Sequence, residues 1–176
     1  MGVFMFKVFV LAMLSVVSIA SADYSGYQGN NSGDAGSGWF PTKPDATMTP
    51  GMLCQHADSL RYPEKIKYCS RNVDTMTKNR VIQMYDAKFG YKINPSNRNQ
   101  FKIDHYIPLC MGGSNEVQNL WPHHQSVYTQ TDPLEPLLCE KKSEGRLKQV
   151  EAVQLIKKGK NDFSQIKGII DYEDQL

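Results

Sequence analysis

The chain predicts an α+β fold. Three observations carry this: an apolar stripe at four-residue spacing (Val81, Tyr85, Phe89), an aromatic and β-branched run from Phe101 to Pro108 that is followed by turn residues and a return segment, and helical spacing again beyond Pro122. The order is helix, β-hairpin, helices, which places the hairpin between helical neighbours. A chain of 176 residues with 40% hydrophobic content can build one ordinary core, so one globular domain is expected.

Taken in order, the first element is a targeting segment. Lys7 supplies a positive start, Val8 to Val17 is apolar, and Ala20-Ser21-Ala22 offers small residues for cleavage. Residues 1–22 are expected to be removed, delivering a secreted or periplasmic protein that begins at Asp23. The apolar run is short for a membrane span, and no later stretch approaches the necessary length, so no membrane contact is expected of the mature form. Residues 23–50 are rich in Gly, Ser and Asn, a composition that buries too little apolar surface to offset chain entropy. They read as a flexible leader, interrupted by Trp39-Phe40-Pro41, with the folded domain spanning 51–176.

From Thr77 the stripe of Val81, Tyr85 and Phe89, widened by Ile82, predicts a helix that stops at Gly90. Phe101 to Pro108 predicts a short strand, ended where proline removes the backbone donor. Gly112-Gly113-Ser114-Asn115 predicts a turn, with Val117 to Trp121 as the returning strand. Asp132 fits an N-cap, with Pro133 at the first helical position and Glu135 at the capping-box position, and Leu134, Leu137 and Leu138 face the core until Gly145. A last helix is expected from Leu147 to Lys158, burying Leu147, Val150, Val153 and Ile156.

Export would let Cys54, Cys69, Cys110 and Cys139 pair. Of three connectivities, closeness in sequence favours Cys54 with Cys69, leaving Cys110 with Cys139. A bridge closing such a loop is worth roughly 3 kcal/mol. No C-x-x-C pair is present to wrap a structural zinc ion.

Charge is close to balanced overall, at +2, which excludes a uniformly basic nucleic-acid-coating protein. It is unevenly distributed. Cys54 to Lys102 holds ten Lys and Arg against four acids, whereas Ile103 to Glu140 holds no Lys or Arg and five acids. A basic stretch suits phosphates, and a carboxylate- and imidazole-bearing stretch free of basic side chains suits a divalent cation.

Special residues concentrate in Asp104-His105-Tyr106-Ile107-Pro108-Leu109, Gly112-Gly113-Ser114-Asn115 and Asn119-Leu120-Trp121-Pro122, followed by His123-His124; three of the four histidines lie here. Hydrolysis of a phosphodiester needs a base for the attacking water, a metal to neutralise developing charge, and rigid positioning of both. An imidazole is a suitable base at neutral pH, and a hard oxygen such as that of Asp104 suits Mg²⁺ better than zinc. Adjacent residues on a regular strand face opposite sides, so the strand is expected to end or bend at Asp104 and His105. Gly112-Gly113 lacks the Lys and helix start of a phosphate-cradling loop and reads as hairpin geometry. Leu120 and Trp121 read as core.

The run Ile103 to Pro122 resembles the HNH, or ββα-metal (His-Me finger), endonuclease superfamily, in its secreted bacterial form with D-H-x-I-P-L, G-G-S-N and N-L-W-P segments. The resemblance implies a small core in which a β-hairpin packs on a helix with one divalent metal, Mg²⁺ or Mn²⁺, held between them. By resemblance His105 is the general base, Asp104 a metal ligand, and Asn119 the residue that holds hairpin and imidazole in register. The remaining ligand falls on the following segment, where the family's register points toward Val127 and Tyr128. His124 is the expected choice, with His123 and Asp132 next.

The expected activity is phosphodiester hydrolysis in DNA, and RNA as a further substrate, by a secreted monomer. An inhibitor or immunity protein is a second partner class compatible with it. The alternative is a catalytically silent nucleic-acid-binding module on the same scaffold. A serine hydrolase lacks its G-x-S-x-G elbow.

Overall fold

The first helix, α1 (Thr75–Phe89), owes both its ends to local chemistry. The Asp74 side chain accepts from the Thr77 N–H at 2.7 Å, and Gly90 closes the helix at φ 72° while its N–H donates to Asp86 O. The stripe read from the sequence buries Val81, Ile82 and Tyr85. The computed structural model describes residues 39–59, 67 and 69–176; the signal segment lies outside the described residues.

Strands β1 (Phe101–His105) and β2 (Leu120–His124) form an antiparallel pair in the register Phe101↔His124, Ile103↔Pro122, His105↔Leu120. The chain is therefore mixed α and β, as expected, with a two-stranded hairpin as its sheet. Pro122 is tolerated because a strand with a single partner has an edge free of ladder bonds. The return strand begins at Leu120, three residues later than the sequence suggested. Val117–Asn119 is instead a 3₁₀ turn, in which the Asn119 N–H donates to Glu116 O. The reason is a non-local one: the Asn119 side chain is taken up by the backbone of Ile107 and Ser114, which draws this segment into the connection.

Beyond β2 the chain enters α2 (Gln125–Thr131), α3 (Leu134–Ser143), α4 (Gln149–Asn161) and α5 (Ile166–Glu173). Asp132 does not begin a helix. It ends α2, its N–H donating to Tyr128 O, and Pro133 takes the cap position of α3. In α4 the buried face is Ala152, Ile156, Gly159 and Lys160; of the residues expected inside, Ile156 is buried but Val150 is 63% exposed, because it lies off this face. α5 went unread from the sequence.

Two apolar clusters result. One joins α1 to the hairpin through Val81, Tyr85, Phe101, Ile103, Leu120 and Trp121. The other gathers α3, α4 and α5 around Leu134, Leu138, Ile156 and Ile169, together with Ile107 and Met111 from the hairpin connection. The connection thus belongs to both. Gly113 permits this: a Cβ there would stand 1.8 Å from Ile107 O, so only glycine lets the two backbones approach.

Residues 40–50, assigned by composition to the leader, pack on the domain. Phe40 stacks on His124 with ring centroids 3.8 Å apart, and Thr49 is fully buried, donating to Leu120 O while accepting from the Tyr85 hydroxyl. Both disulfides have the expected pairing, Cys54–Cys69 and Cys110–Cys139. Among the described residues no helix is long and apolar enough to cross a membrane.

Candidate active site

Strand β1 holds its ladder through His105 and ends there, without a bend between Asp104 and His105. The two side chains diverge to opposite faces of the hairpin. Lys102, Asp104, Trp121 and His123 share one face; Phe101, Ile103, His105 and His124 share the other.

On the first face Asp104 is nearly enclosed. His123 Nδ1 lies 2.9 Å from its Oδ2, and Lys160 Nζ, from α4, donates to the same oxygen at 3.2 Å. Lys102 Nζ is 3.7 Å away. Every one of these contacts falls on Oδ2. Oδ1 has no partner among the described residues. Burial opposes the charged carboxylate, but the Lys160 charge, the hydrogen bond from His123 and the Lys102 charge outweigh it and hold Asp104 well below the usual carboxylate range.

Lys160 is fully buried, and its ammonium donates to Glu135 Oε1 at 2.6 Å and His105 O at 2.7 Å besides Asp104. Burial alone would discharge it; the carboxylates of Asp104 and Glu135 keep it cationic and raise its pKa. His123 is also fully buried, and desolvation lowers its pKa despite Asp104. A neutral ring with its Nδ1–H given to Asp104 accepts at Nε2 from the Thr131 hydroxyl, 3.2 Å away. Its other face rests on Trp121 at 4.2 Å between centroids.

Asp104, His123 and Asp132 offer donor atoms within 4.8 Å of one another, a group that could hold a metal ion. Two carboxylates suit a hard divalent cation, and the open Oδ1 of Asp104 is the atom with capacity to spare. His123 contributes less, since both its nitrogens are engaged. Asp132 is held by Lys102, whose Nζ lies 2.7 and 2.8 Å from its two oxygens, so a cation bound there requires that lysine to withdraw. The oxygen donors fit the group; the imidazole is best placed to orient Asp104.

His124, the expected second ligand, is not part of this group. It lies on the other hairpin face, caps α2 by accepting from Ser126 N, contacts the Ser126 hydroxyl at 2.8 Å, and stacks under Phe40. Tyr128 also stays outside as a ligand; its ring packs edge-on to His123, and Lys102 lies over it.

On the second face His105 is buried at the end of β1. Its Nε2 lies 3.1 Å from Asn115 Oδ1, an oxygen that also accepts from Asn72 N, while Asn115 Nδ2 donates to Ser70 O. With that oxygen as acceptor, Nε2 carries the proton and the lone pair is on Nδ1, which has no partner among the described residues and is not sealed from solvent. Burial, together with the Arg71 charge, depresses the His105 pKa despite its hydrogen bond to Asn115 and so favours the neutral ring. A cleft of about 200 Å³ opens beside Asn115, lined also by Met52, His56 and Gln118.

Asn119 holds the connection. Its Oδ1 accepts from Ile107 N at 2.9 Å, and its Nδ2 donates to Ile107 O and Ser114 O, both at 2.9 Å. Ile107, directly after His105-Tyr106, is thereby held at both its backbone N–H and its carbonyl and tied to Ser114 across the connection.

Sequence reading missed Lys160 and Asn115. The first carried a signal: Ala152, Ile156 and Lys160 form an i, i+4, i+8 stripe, in which a lysine on the buried face demands partners. The second sat within the Gly-Gly-Ser-Asn turn, where asparagine ordinarily serves turn geometry. Comparison with protein-family models, curated proteins and solved structures returns no match for this chain.

Proposed function

We propose that this chain is a secreted, metal-dependent endonuclease that hydrolyses phosphodiester bonds in DNA, and RNA as a further substrate, on a ββα-metal hairpin. The observation that carries the reading is His105: a buried, neutral imidazole whose Nε2–H is fixed by Asn115 and whose Nδ1 keeps its lone pair, next in sequence to a carboxylate with one open oxygen. A hydrolytic centre needs a base held in one tautomer and a site for positive charge; here the two are joined through the Asp104–His105 peptide, from opposite faces of the hairpin.

His105 Nδ1 takes the proton of the attacking water as its oxygen bonds to phosphorus, the bond from phosphorus to one sugar oxygen breaks, and solvent protonates the departing alkoxide. Asn115 keeps the ring from turning. Asn119 fixes the backbone after it, so that the base does not drift with the connection. Asp104 Oδ1 and Asp132 would hold a divalent ion, Mg²⁺ or Mn²⁺, which when bound supplies charge neutralisation on the phosphate. His123 and Lys160 orient Asp104. The basic residues preceding β1 supply the phosphate attraction that a nearly neutral chain otherwise lacks. The two disulfides and the leading apolar segment support export.

The test incubates the mature protein with supercoiled plasmid and Mg²⁺, then with EDTA, then repeats it with His105→Ala. Metal-dependent nicking that is lost in the variant supports the reading, and full cleavage by His105→Ala overturns the mechanism.

A second reading is a silent nucleic-acid-binding module. Lys102 favours it, because its ammonium already sits on Asp132 and neutralises part of the acidic group. Calorimetry separates the two: salt-sensitive DNA binding with no uptake of Mn²⁺ selects the binding module.

A further inference from the structure

Asp104 and His105 look to opposite faces, yet one side chain reaches both residues. Lys160 Nζ donates to Asp104 Oδ2 at 3.2 Å and to the His105 carbonyl at 2.7 Å, and its third bond, to Glu135 Oε1 at 2.6 Å, anchors it to α3. The lysine is fully buried and stands 55 residues from His105 in sequence. Retaining an ammonium in such a place carries a large desolvation cost that only close counter-charges offset. A helix that merely had to pack would carry an apolar residue here, as Ala152 and Ile156 do on the same stripe.

We propose that Lys160 is a positioning residue: it clamps Asp104 Oδ2 and the His105 carbonyl together, so that Asp104 presents Oδ1 alone, as a single-oxygen ligand, to a divalent cation. The inference rests on the proposed function and deepens it. Lys160 and His123 occupy Oδ2 from two directions, so the carboxylate cannot turn to offer both oxygens. Fixing the His105 carbonyl at the same time sets where the strand ends and the base begins. The peptide between the two residues becomes the rigid part of the centre, held from outside the hairpin by α4, whose Asn161 also donates to the hydroxyl of the next residue, Tyr106.

The experiment compares the full mature chain with Lys160→Met, which keeps most of the side-chain volume, and with Glu135→Gln, which keeps the lysine but removes the charge from its third anchor. Mn²⁺ affinity is read by electron paramagnetic resonance below the melting temperature of each variant, and ring nitrogens by ¹⁵N histidine NMR without metal. Outer positioning groups are worth about 10- to 100-fold in metal affinity. The expected result is a loss of at least about tenfold for Lys160→Met, a smaller loss for Glu135→Gln, and altered ¹⁵N signals of His123 in both. A folded Lys160→Met that binds Mn²⁺ like the wild type overturns the proposal. If Lys160→Met does not fold, Glu135→Gln decides: unchanged Mn²⁺ affinity and unchanged His123 signals overturn the clamp. A wild type that takes up no Mn²⁺ overturns the proposal, whereas a wild type that binds Mn²⁺, loses it in Lys160→Met and cuts no DNA supports the clamp and overturns the nuclease reading alone.

Discussion

Tyr85 shows how much a single buried hydroxyl can join. It accepts from the Asp45 N–H at 3.0 Å and donates to Thr49, which in turn donates to the strand carbonyl of Leu120. Tyr85→Phe strands both a donor and an acceptor, so a loss of about 1–3 kcal/mol is expected in urea unfolding. The same burial pushes the phenol up to about 12 from 10. A folded-state pKa above the unfolded one favours the protonated form, so this contribution is complete below pH 10 and is lost as pH rises through about 12. An ultraviolet titration should show one tyrosine ionising late and together with unfolding, and Tyr85→Phe should remove that component. Asn119→Ala should be costlier, because it abandons Ile107 N–H, Ile107 O and Ser114 O inside the protein; a midpoint shift no larger than that of an exposed asparagine would refute the clamp assigned to it.

At the scale of elements, the loop closed by Cys54–Cys69 ends where the support of His105 begins. Ser70 O and Asn72 N hold Asn115, and Asn115 holds the imidazole. Removing this bridge with Cys54→Ser and Cys69→Ser should lower plasmid cleavage at least about tenfold, a reaction-geometry effect of the size that small misplacements produce. Removing Cys110–Cys139, which ties the connection to α3, should chiefly lower the melting temperature. The contrast between bridges is the check, since equal effects on rate would disconnect the first loop from the site.

Elements also divide by how far they could be read in the sequence. α1 was legible because its stripe and Gly90 stop are local; its Asp74 cap was not read. The cysteine pairs and the hairpin were legible for similar reasons. The start of β2 was not, because it is settled by an amide side chain bonding to Ile107, twelve residues away. Asp132 resembled a helix start, but its carboxylate is drawn to Lys102 across the hairpin. Within the site, Asp104, His105 and Asn119 stood out by motif; Lys160 did not, since its meaning depends on Asp104, 56 residues earlier. His124 lost to geometry, as strand alternation sends it to the face opposite Asp104.

For the molecule as a whole, a cation that binds only the folded chain must raise its stability, by about 2.7 kcal/mol at a hundredfold excess over the dissociation constant. Mn²⁺ should therefore raise the melting temperature, EDTA should reverse the shift, and Asp104→Asn should abolish it. A shift that survives Asp104→Asn would place the ion elsewhere. Lys102→Ala should enlarge the shift, because the ammonium that competes for Asp132 is gone.

The long reach of Lys160 also bears on when the protein becomes whole. A chain is made from its N terminus, and α4 emerges after the hairpin that it fastens. Until it does, Asp104 lacks its buried cation and the His105 carbonyl lacks its donor. The Lys157 ammonium, which donates to Pro50 O, likewise has to wait to fasten the start of the domain. The hairpin thus stays unfastened until residues more than fifty positions downstream of its first strand arrive, and the centre is completed by contacts between distant parts of the chain rather than by local folding.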